Sequence, residues 1–280
     1  MPPQPKNQIA DTAALVEARE LVKTIQVEPN VRRCVEVAER IRHIREVHNV
    51  ADIAAAEAQA LRYATEVEPS VRRREELAER IGLIRKQHDT PETGRAEAEA
   101  LVQVTIGEQD PRRCAELAAR IGRIRAKHNT PEIALAEAQA LMNATIGEPE
   151  AAQRASLATR VCKLRVEHNT EEIAIVEAKA LSSTTIVESE TGRCVEAAER
   201  IGSIRAEYNT TEIALAEAVA LFNTTVVVQD ARVRASLAER IGQVRVQHNT
   251  AKIALEQAKA LFNAIVKEPD AGSSRVGTRY

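Results

Sequence analysis

The feature that most constrains the fold of this chain is a repeat with a fixed period of 40 residues. Histidine recurs at this interval at His48, His88, His128, His168 and His248, with Tyr208 in the one remaining place. Leucine recurs without any insertion or deletion at Leu21, Leu61, Leu101, Leu141, Leu181, Leu221 and Leu261. Such a period indicates a stack of similar units in which each unit packs mainly on its neighbours.

The composition favours small aliphatic side chains and excludes simple electrostatic binding. The chain has 280 residues, of which 44% are hydrophobic but only 2% aromatic. Residues of this size favour helices packed at short distances. The formal net charge of -2 argues against a protein that binds nucleic acid or an anionic membrane by charge alone.

Nothing in the sequence predicts a membrane span or an exported protein. No apolar run approaches the roughly 18–20 residues that a membrane helix needs, and the first residues, MPPQPKNQ, lack the apolar segment of a secretory signal. Cys34, Cys114 and Cys194 are two repeats apart, which in a helical stack is about 20 Å, whereas a disulfide needs Cα atoms within about 7 Å. We therefore expect free thiols and a cytoplasmic location.

The unit at 129–168 shows how each repeat is built. Thr130 is a good N-cap, and Pro131 suits the first helical position because its missing N–H has no partner there. Gly147 ends this helix, and a second helix is predicted over 151–167. We call the first helix of each repeat helix A and the second helix B.

The same pattern predicts A helices near 11–26, 51–66 and 91–106 and B helices near 31–47, 71–87 and 111–127, and so on along the chain. The predicted fold is all-α, a solenoid of six 40-residue helix-turn-helix repeats plus a terminal capping helix near 251–266. The solenoid is expected to cover residues 9–268, with disordered segments at 1–8 and 269–280. Glu20 and Glu256 replace small apolar residues of the other repeats, which predicts polar outer faces at the two ends.

The segment at 237–262, LAERIGQVRVQHNTAKIALEQAKALF, resembles a tetratricopeptide-type repeat. The Ile241-Gly242 pair lies where that family has a small residue in its first helix, and Ala260-Leu261 matches the end of its Ala-rich second helix. The resemblance implies a right-handed solenoid of helical hairpins. It also implies a protein that holds short peptides or partner proteins in a concave groove.

Charged residues recur on the apolar side of the helices, where a charge needs a partner. They predict an internal ladder of Glu–Arg ion pairs, with Arg125 or Arg165 as better partners for Glu137 than Arg120 or Arg160. The ladder glutamates are Glu17, Glu57, Glu97, Glu137, Glu177 and Glu217, and the ladder arginines are Arg45, Arg85, Arg125, Arg165, Arg205 and Arg245. The alternative is a row of cations displayed to an anionic ligand.

A second set of arginines lies in the first turn of the early B helices, where positive charge opposes the helix dipole. We interpret it mainly as solvated or paired with preceding glutamates. It could also bind phosphate at helix N-termini. We call this set the arginine ridge, and it consists of Arg32, Arg33, Arg72, Arg73, Arg112 and Arg113.

No residues predict catalysis or a bound metal. The repeated histidines are one repeat apart, about 10 Å, whereas the ligands of one metal lie about 2 Å from it. Each histidine is expected to cap the C-terminus of its B helix instead. Phosphate loops, dinucleotide-binding turns, CxxC pairs and serine elbows do not occur in the sequence, so we expect neither a cofactor nor an enzyme.

The function most consistent with these patterns is a non-catalytic scaffold or adaptor that binds a protein or peptide through an extended surface. One alternative is a structural protein whose repeats assemble into dimers or filaments. Another is an anion or nucleic-acid binder that uses the arginine ridge, although the near-neutral charge makes nucleic acid an improbable partner.

Overall fold

The structure, a computed structural model, describes the backbone of residues 5–266 and the side chains of residues 9–266. This part of the chain contains thirteen α-helices and no strand, which confirms the predicted all-α helical-repeat solenoid. The helices are α1 (Pro5–Lys23), α2 (Val31–His48), α3 (Ala51–Val67), α4 (Val71–Gln87), α5 (Pro91–Gly107), α6 (Pro111–Arg125), α7 (Pro131–Gly147), α8 (Ala151–Glu167), α9 (Glu171–Thr184), α10 (Thr191–Glu207), α11 (Thr211–Val227), α12 (Ala231–Gln247) and α13 (Ala251–Val266). Odd-numbered helices are the A helices and even-numbered helices are the B helices.

The helices form two compact units, Met1–Gly147 with α1 to α7 and Glu148–Tyr280 with α8 to α13. Within each unit, consecutive A helices pack on one another and on the B helices beside them. The backbones of consecutive B helices stay apart inside each unit. Grooves between B helices are therefore a general feature of the packing, and side chains decide whether each groove is open or closed.

The turn from helix B to helix A is built by its threonine. The Thr90 N–H donates to the His88 carbonyl at 3.1 Å, so the chain reverses within three residues. The Thr130 hydroxyl accepts from the Ile133 N–H at 3.4 Å, which is the N-cap predicted from the sequence. Pro131 begins α7, as predicted.

The turn from helix A to helix B is built by a glutamate that recurs every 40 residues from Glu28 to Glu188, with Val228 in the next place. The Glu68 carboxylate accepts from the Ser70 N–H at 2.8 Å, and the Glu148 carboxylate accepts from the Glu150 N–H at 3.0 Å. Both glutamates are buried. The carboxylate therefore fixes the turn and places the N-terminus of the next B helix.

Alanine lets the A helices approach closely on several sides. Ala138, Ala140 and Leu141 of α7 are fully buried although they lie on different sides of the helix. In the second unit, Ala218, Ala220 and Leu221 of α11 are likewise fully buried, in a core shared with α10, α12 and α13.

The two ends of the described chain differ. Glu20 is exposed and pairs with Lys23 at 2.6 Å, as expected for a polar end. The same expectation for Glu256 is wrong, because its side chain is only 12% exposed and pairs with Lys259 inside the last repeat. The outer face of α13 instead exposes Leu261 and Phe262.

Two segments, 1–8 and 269–280, are predicted to be disordered, and most of their residues lie outside the described part of the chain. Residues 5–8 are described, and there the prediction is wrong because they form the first turn of α1. Residues 267–268, predicted to end the solenoid, are also outside it. Among the described helices, none has the length and apolar character to cross a membrane.

Candidate functional site

Five of the six ladder arginines reach the glutamate twelve positions later, on the A helix that follows. Arg45 Nε lies 2.6 Å from Glu57 Oε2, and Arg125 Nε lies 2.7 Å from Glu137 Oε2. The same bond joins Arg85 to Glu97, Arg165 to Glu177 and Arg205 to Glu217. All five glutamates are at most 5% exposed. Of the two partners considered for Glu137, the structure selects Arg125, while Arg165 pairs with Glu177.

A second arginine reaches the free oxygen of several of these carboxylates. Arg120 Nη2 lies 2.6 Å from Glu97 Oε1, and Arg200 Nη2 lies 2.7 Å from Glu177 Oε1. Arg120, predicted to be a poorer partner than Arg125 for Glu137, therefore serves another glutamate of the ladder. A guanidinium on the next B helix is long enough to reach back to the A helix, so Glu97 joins three helices of the first unit.

Glycine on the B helices makes room for the ladder. A Cβ atom on Gly122 would lie 3.0 Å from Glu137 Oε1, and one on Gly202 would lie 3.1 Å from Glu217 Oε1. A Cβ on Gly82 would lie 2.7 Å from Arg120 Nη2. Each of these glycines follows a buried isoleucine of its B helix, so the Ile-Gly pair seen in the sequence makes room for the ion pairs.

The buried charges shift one another's pKa values. Burial raises the pKa of Glu57, although its bond to Arg45 opposes the change. Burial would lower the pKa of Arg120, but bonds to Glu79 and Glu97 raise it overall. Each charge in the ladder is therefore held by its partners rather than offered to solvent.

The two ends of the ladder depart from the prediction. Glu17 is largely exposed and lies 3.9 Å from Arg40 Nη2, and the place twelve positions before it is occupied by Pro5 instead of an arginine. Arg245 meets Gln257, where a glutamate is replaced, and donates to its Oε1 at 3.1 Å. The last rung is thus a hydrogen bond between a cation and a neutral amide.

The repeated histidines link neighbouring turns. His88 Nε2 lies 3.0 Å from Asn49 Oδ1, and His248 Nε2 lies 2.8 Å from Asn209 Oδ1, each partner being 39 residues earlier. For His88 and His248, the prediction that the side chain caps the carbonyls of its own helix is therefore wrong. Burial, followed by the charge of Arg45, lowers the pKa of His88.

The fourth residue of each B helix alternates between cysteine and arginine along the chain. Cys34, Cys114 and Cys194 are buried, and in the intervening repeats the same place is taken by long guanidinium groups. Arg154 Nη1 donates to the Ser183 carbonyl at 2.6 Å, and Arg234 Nη1 donates to the Gln229 carbonyl at 2.6 Å. These arginines therefore tie the turn to the helices.

The arginine ridge is divided into paired and unpaired members. Arg32 pairs with Glu36 at 3.0 Å and Arg72 with Glu76 at 3.3 Å, each within one helix. Arg33 pairs with Glu28 at 3.2 Å.

Arg113 differs because it crosses from α6 to Glu75 of α4 and also bonds Glu116 at 3.3 Å. The side chains of Arg112 and Arg73 make no ion pair with any described residue, and both are exposed. The ridge is therefore not a uniform row of free cations.

An open groove of about 1000 Å³ lies between α2 and α4 of the first unit. Its apolar lining comes from Val31 and Val35 on α2, Val67 at the end of α3 and Leu77 on α4. Its charged lining comes from both helices and includes Arg32, Glu36, Glu39, Arg73, Glu76 and Arg80. A surface that combines an apolar floor with charged rims is typical of protein and peptide recognition.

The described residues contain no cluster of three or more His, Cys, Asp or Glu side chains able to hold a metal. The chain matches no known protein-family model, no curated protein and no solved structure. The groove could not be found from the sequence, because its two walls are contributed by residues about one repeat apart. No single residue signals it, since apolar residues recur at the place of Val35, with Glu75 as the exception.

Proposed function

We propose that this chain is a non-catalytic scaffold that binds a protein or peptide partner, and that the groove between α2 and α4 is its docking surface. The observation that supports this proposal is the groove itself, with half-buried Val31, Val35 and Val67 beside buried Leu77. Burying such side chains under a partner would contribute about 25 cal/mol for each Å² removed from water.

The Glu–Arg ladder argues for the scaffold rather than for an anion binder. Its carboxylates and guanidinium groups satisfy one another inside the helical pairs. An anionic ligand would have to displace a buried carboxylate to reach them. The ladder therefore rigidifies the helices, and the grooves between B helices are left to interact with other molecules.

The proposal is tested by closing the groove. Val35→Glu puts a charge onto the groove lining, and Val195→Glu is a matched control because it makes the same change at the equivalent half-buried place on α10. We expect affinity capture from the native host to lose particular partners with Val35→Glu and to retain them with Val195→Glu. Identical captured proteins for the parent and both variants would contradict the proposal.

A second candidate function is self-association through α13. Ala220-Leu221-Phe222-Asn223 of α11 and Ala260-Leu261-Phe262-Asn263 of α13 have the same sequence. Leu221 is fully buried in the core that α11 shares with α12 and α13, whereas Leu261 is 48% exposed. The face of α13 thus continues an interface that already exists inside the second unit.

A second copy of the chain, with its own α13 placed antiparallel, would cover both faces in a two-fold dimer. Light scattering on the purified chain measures this directly. A dimer that is dissociated by Leu261→Glu but not by Leu83→Glu, which also replaces an exposed leucine, would support it. A monomer at every concentration, or equal effects of the two variants, would exclude it.

A further inference from the structure

We infer that the partner of the α2–α4 groove is an acidic peptide segment whose carboxylate pairs with Arg73 while a neighbouring apolar side chain enters the groove. This inference rests on the proposed function, since it specifies the ligand of the same site. It follows from comparing four arginines at equivalent places on the B helices.

Three of these four arginines have a carboxylate partner and the fourth does not. Arg33 has Glu28 at 3.2 Å, and Arg193 has Glu190 at 2.9 Å. Arg113 has Glu75, which lies across the groove on the preceding B helix. The Arg73 side chain makes no ion pair within the described part of the chain, although it lines the groove.

The missing partners of Arg73 have identifiable causes. Val35 occupies the place from which Glu75 reaches Arg113, so no carboxylate of α2 reaches Arg73. Ser70 occupies the place of Glu190, and the buried Glu68 carboxylate, to which the Ser70 N–H donates at 2.8 Å, makes no ion pair with Arg73. The α2–α4 groove therefore lacks the cross-groove pair that Arg113 and Glu75 form between α4 and α6.

Three of the four acidic side chains that line the groove already have an arginine partner, and the fourth, Glu68, is buried and makes no ion pair with Arg73. Glu36 is paired with Arg32, and Glu39 with Arg80 at 2.5 Å. Glu76 is paired with Arg72. Arg73 is thus the exposed guanidinium of the groove lining that makes no ion pair with a described residue, and it lies beside an apolar floor. A ligand carboxylate would complete the pair that Glu75 completes for Arg113, in the bidentate geometry that arginine favours.

The test uses an array of ten-residue peptides in which Leu, Val, Ile or Phe is followed within three residues by Asp or Glu. Each peptide is compared with its amide twin, in which the Asp or Glu is replaced by Asn or Gln. The full chain is the bait, and the hits are measured in solution by fluorescence anisotropy. We expect acidic peptides to be preferred over their amide twins by about fivefold, the upper end for partly exposed ion pairs.

Arg73→Gln should remove this preference but leave residual binding, and it should not impair folding because it removes a positive charge near a helix N-terminus. Val35→Glu should abolish binding of both peptide types, since its carboxylate would occupy the ligand's place, whereas Val195→Glu should change nothing. Binding without an acidic preference, or a preference that survives Arg73→Gln, would overturn the inference but not the proposed function. Absence of binding, or binding that Val35→Glu leaves intact, would overturn both.

Discussion

Replacing Glu97 by alanine is expected to destabilise the first unit by about 3 kcal/mol, the low end of the range for breaking a buried ion pair. Glu97 is 1% exposed and its two oxygens are bonded by Arg85 and Arg120, whose side chains are 21% and 25% exposed. The substitution leaves both guanidinium groups largely buried without this partner. The loss is limited because Arg120 keeps Glu79 and Arg85 keeps Asp89 at 3.6 Å.

Glu97→Gln should cost much less, about 1 kcal/mol, because an amide oxygen can still accept from one guanidinium. The last repeat shows this arrangement, where Gln257 accepts from Arg245 at 3.1 Å. The assay is urea unfolding followed by far-ultraviolet circular dichroism. A double-mutant cycle of Glu97→Ala with Arg85→Met then isolates the energy of the pair from the loss of packing.

The reasoning fails if Glu97→Ala unfolds at the same urea concentration as the parent and the coupling energy is within about 0.5 kcal/mol of zero, the limit expected for independent sites. The ladder would then be a solvated face, and its arginines would be available to a ligand. Gly82→Ala provides a separate check, since its Cβ would lie 3.1 Å from Glu97 Oε1 and should also destabilise the unit.

Three further predictions concern other parts of the chain. Bonds from His128 and then Lys127 lower the pKa of Asp89 from 3.8 to about 2; because the folded pKa is depressed, the stabilisation is present above about pH 4 and lost as the pH falls toward 2. The difference in unfolding free energy between the parent and Asp89→Asn should shrink over that window. In native protein, a thiol-reactive dye should label the half-exposed Cys162 first, since burial raises the pKa of Cys114 and Cys194 to about 11; equal labelling rates would contradict this. Fluorescence anisotropy should show only weak binding to duplex DNA or RNA, because most ridge arginines are paired, and a tight complex with a steep salt dependence would contradict that reading.

The fold was predictable because every repeat carries the same helix signals. The Thr-Pro start of helix α7 and its end at Gly147 follow from local propensities that tertiary contacts do not overrule. The 40-residue period then repeats such signals along the chain. The existence of the Arg125–Glu137 pair was predictable for the same reason, since both charges lie on apolar faces of adjacent helices.

The choice of second partners was not predictable from one helix at a time. A helical wheel places Arg120 at the flank of the apolar stripe, but it does not show that its guanidinium reaches Glu97 on another helix. The same limit explains the error at Glu256. Its polar side chain lies in the place of buried Ala216, which faces the inside of the repeat and not its outer end.

The candidate site depends on combinations of residues rather than on any one residue. Valine at position 35 is unremarkable alone, and Arg73 has the same residue type as Arg33 and Arg113. Only the geometry shows that Glu75, 38 residues before Arg113, is its partner across the groove. Most recurring charges of this repeat protein are paired within the scaffold, whereas Arg73 makes no ion pair with any described residue. A recurring cation that lacks a carboxylate partner beside an apolar groove is a place at which another molecule can supply that group, and Arg73, opposite Val35, is such a place in the first unit.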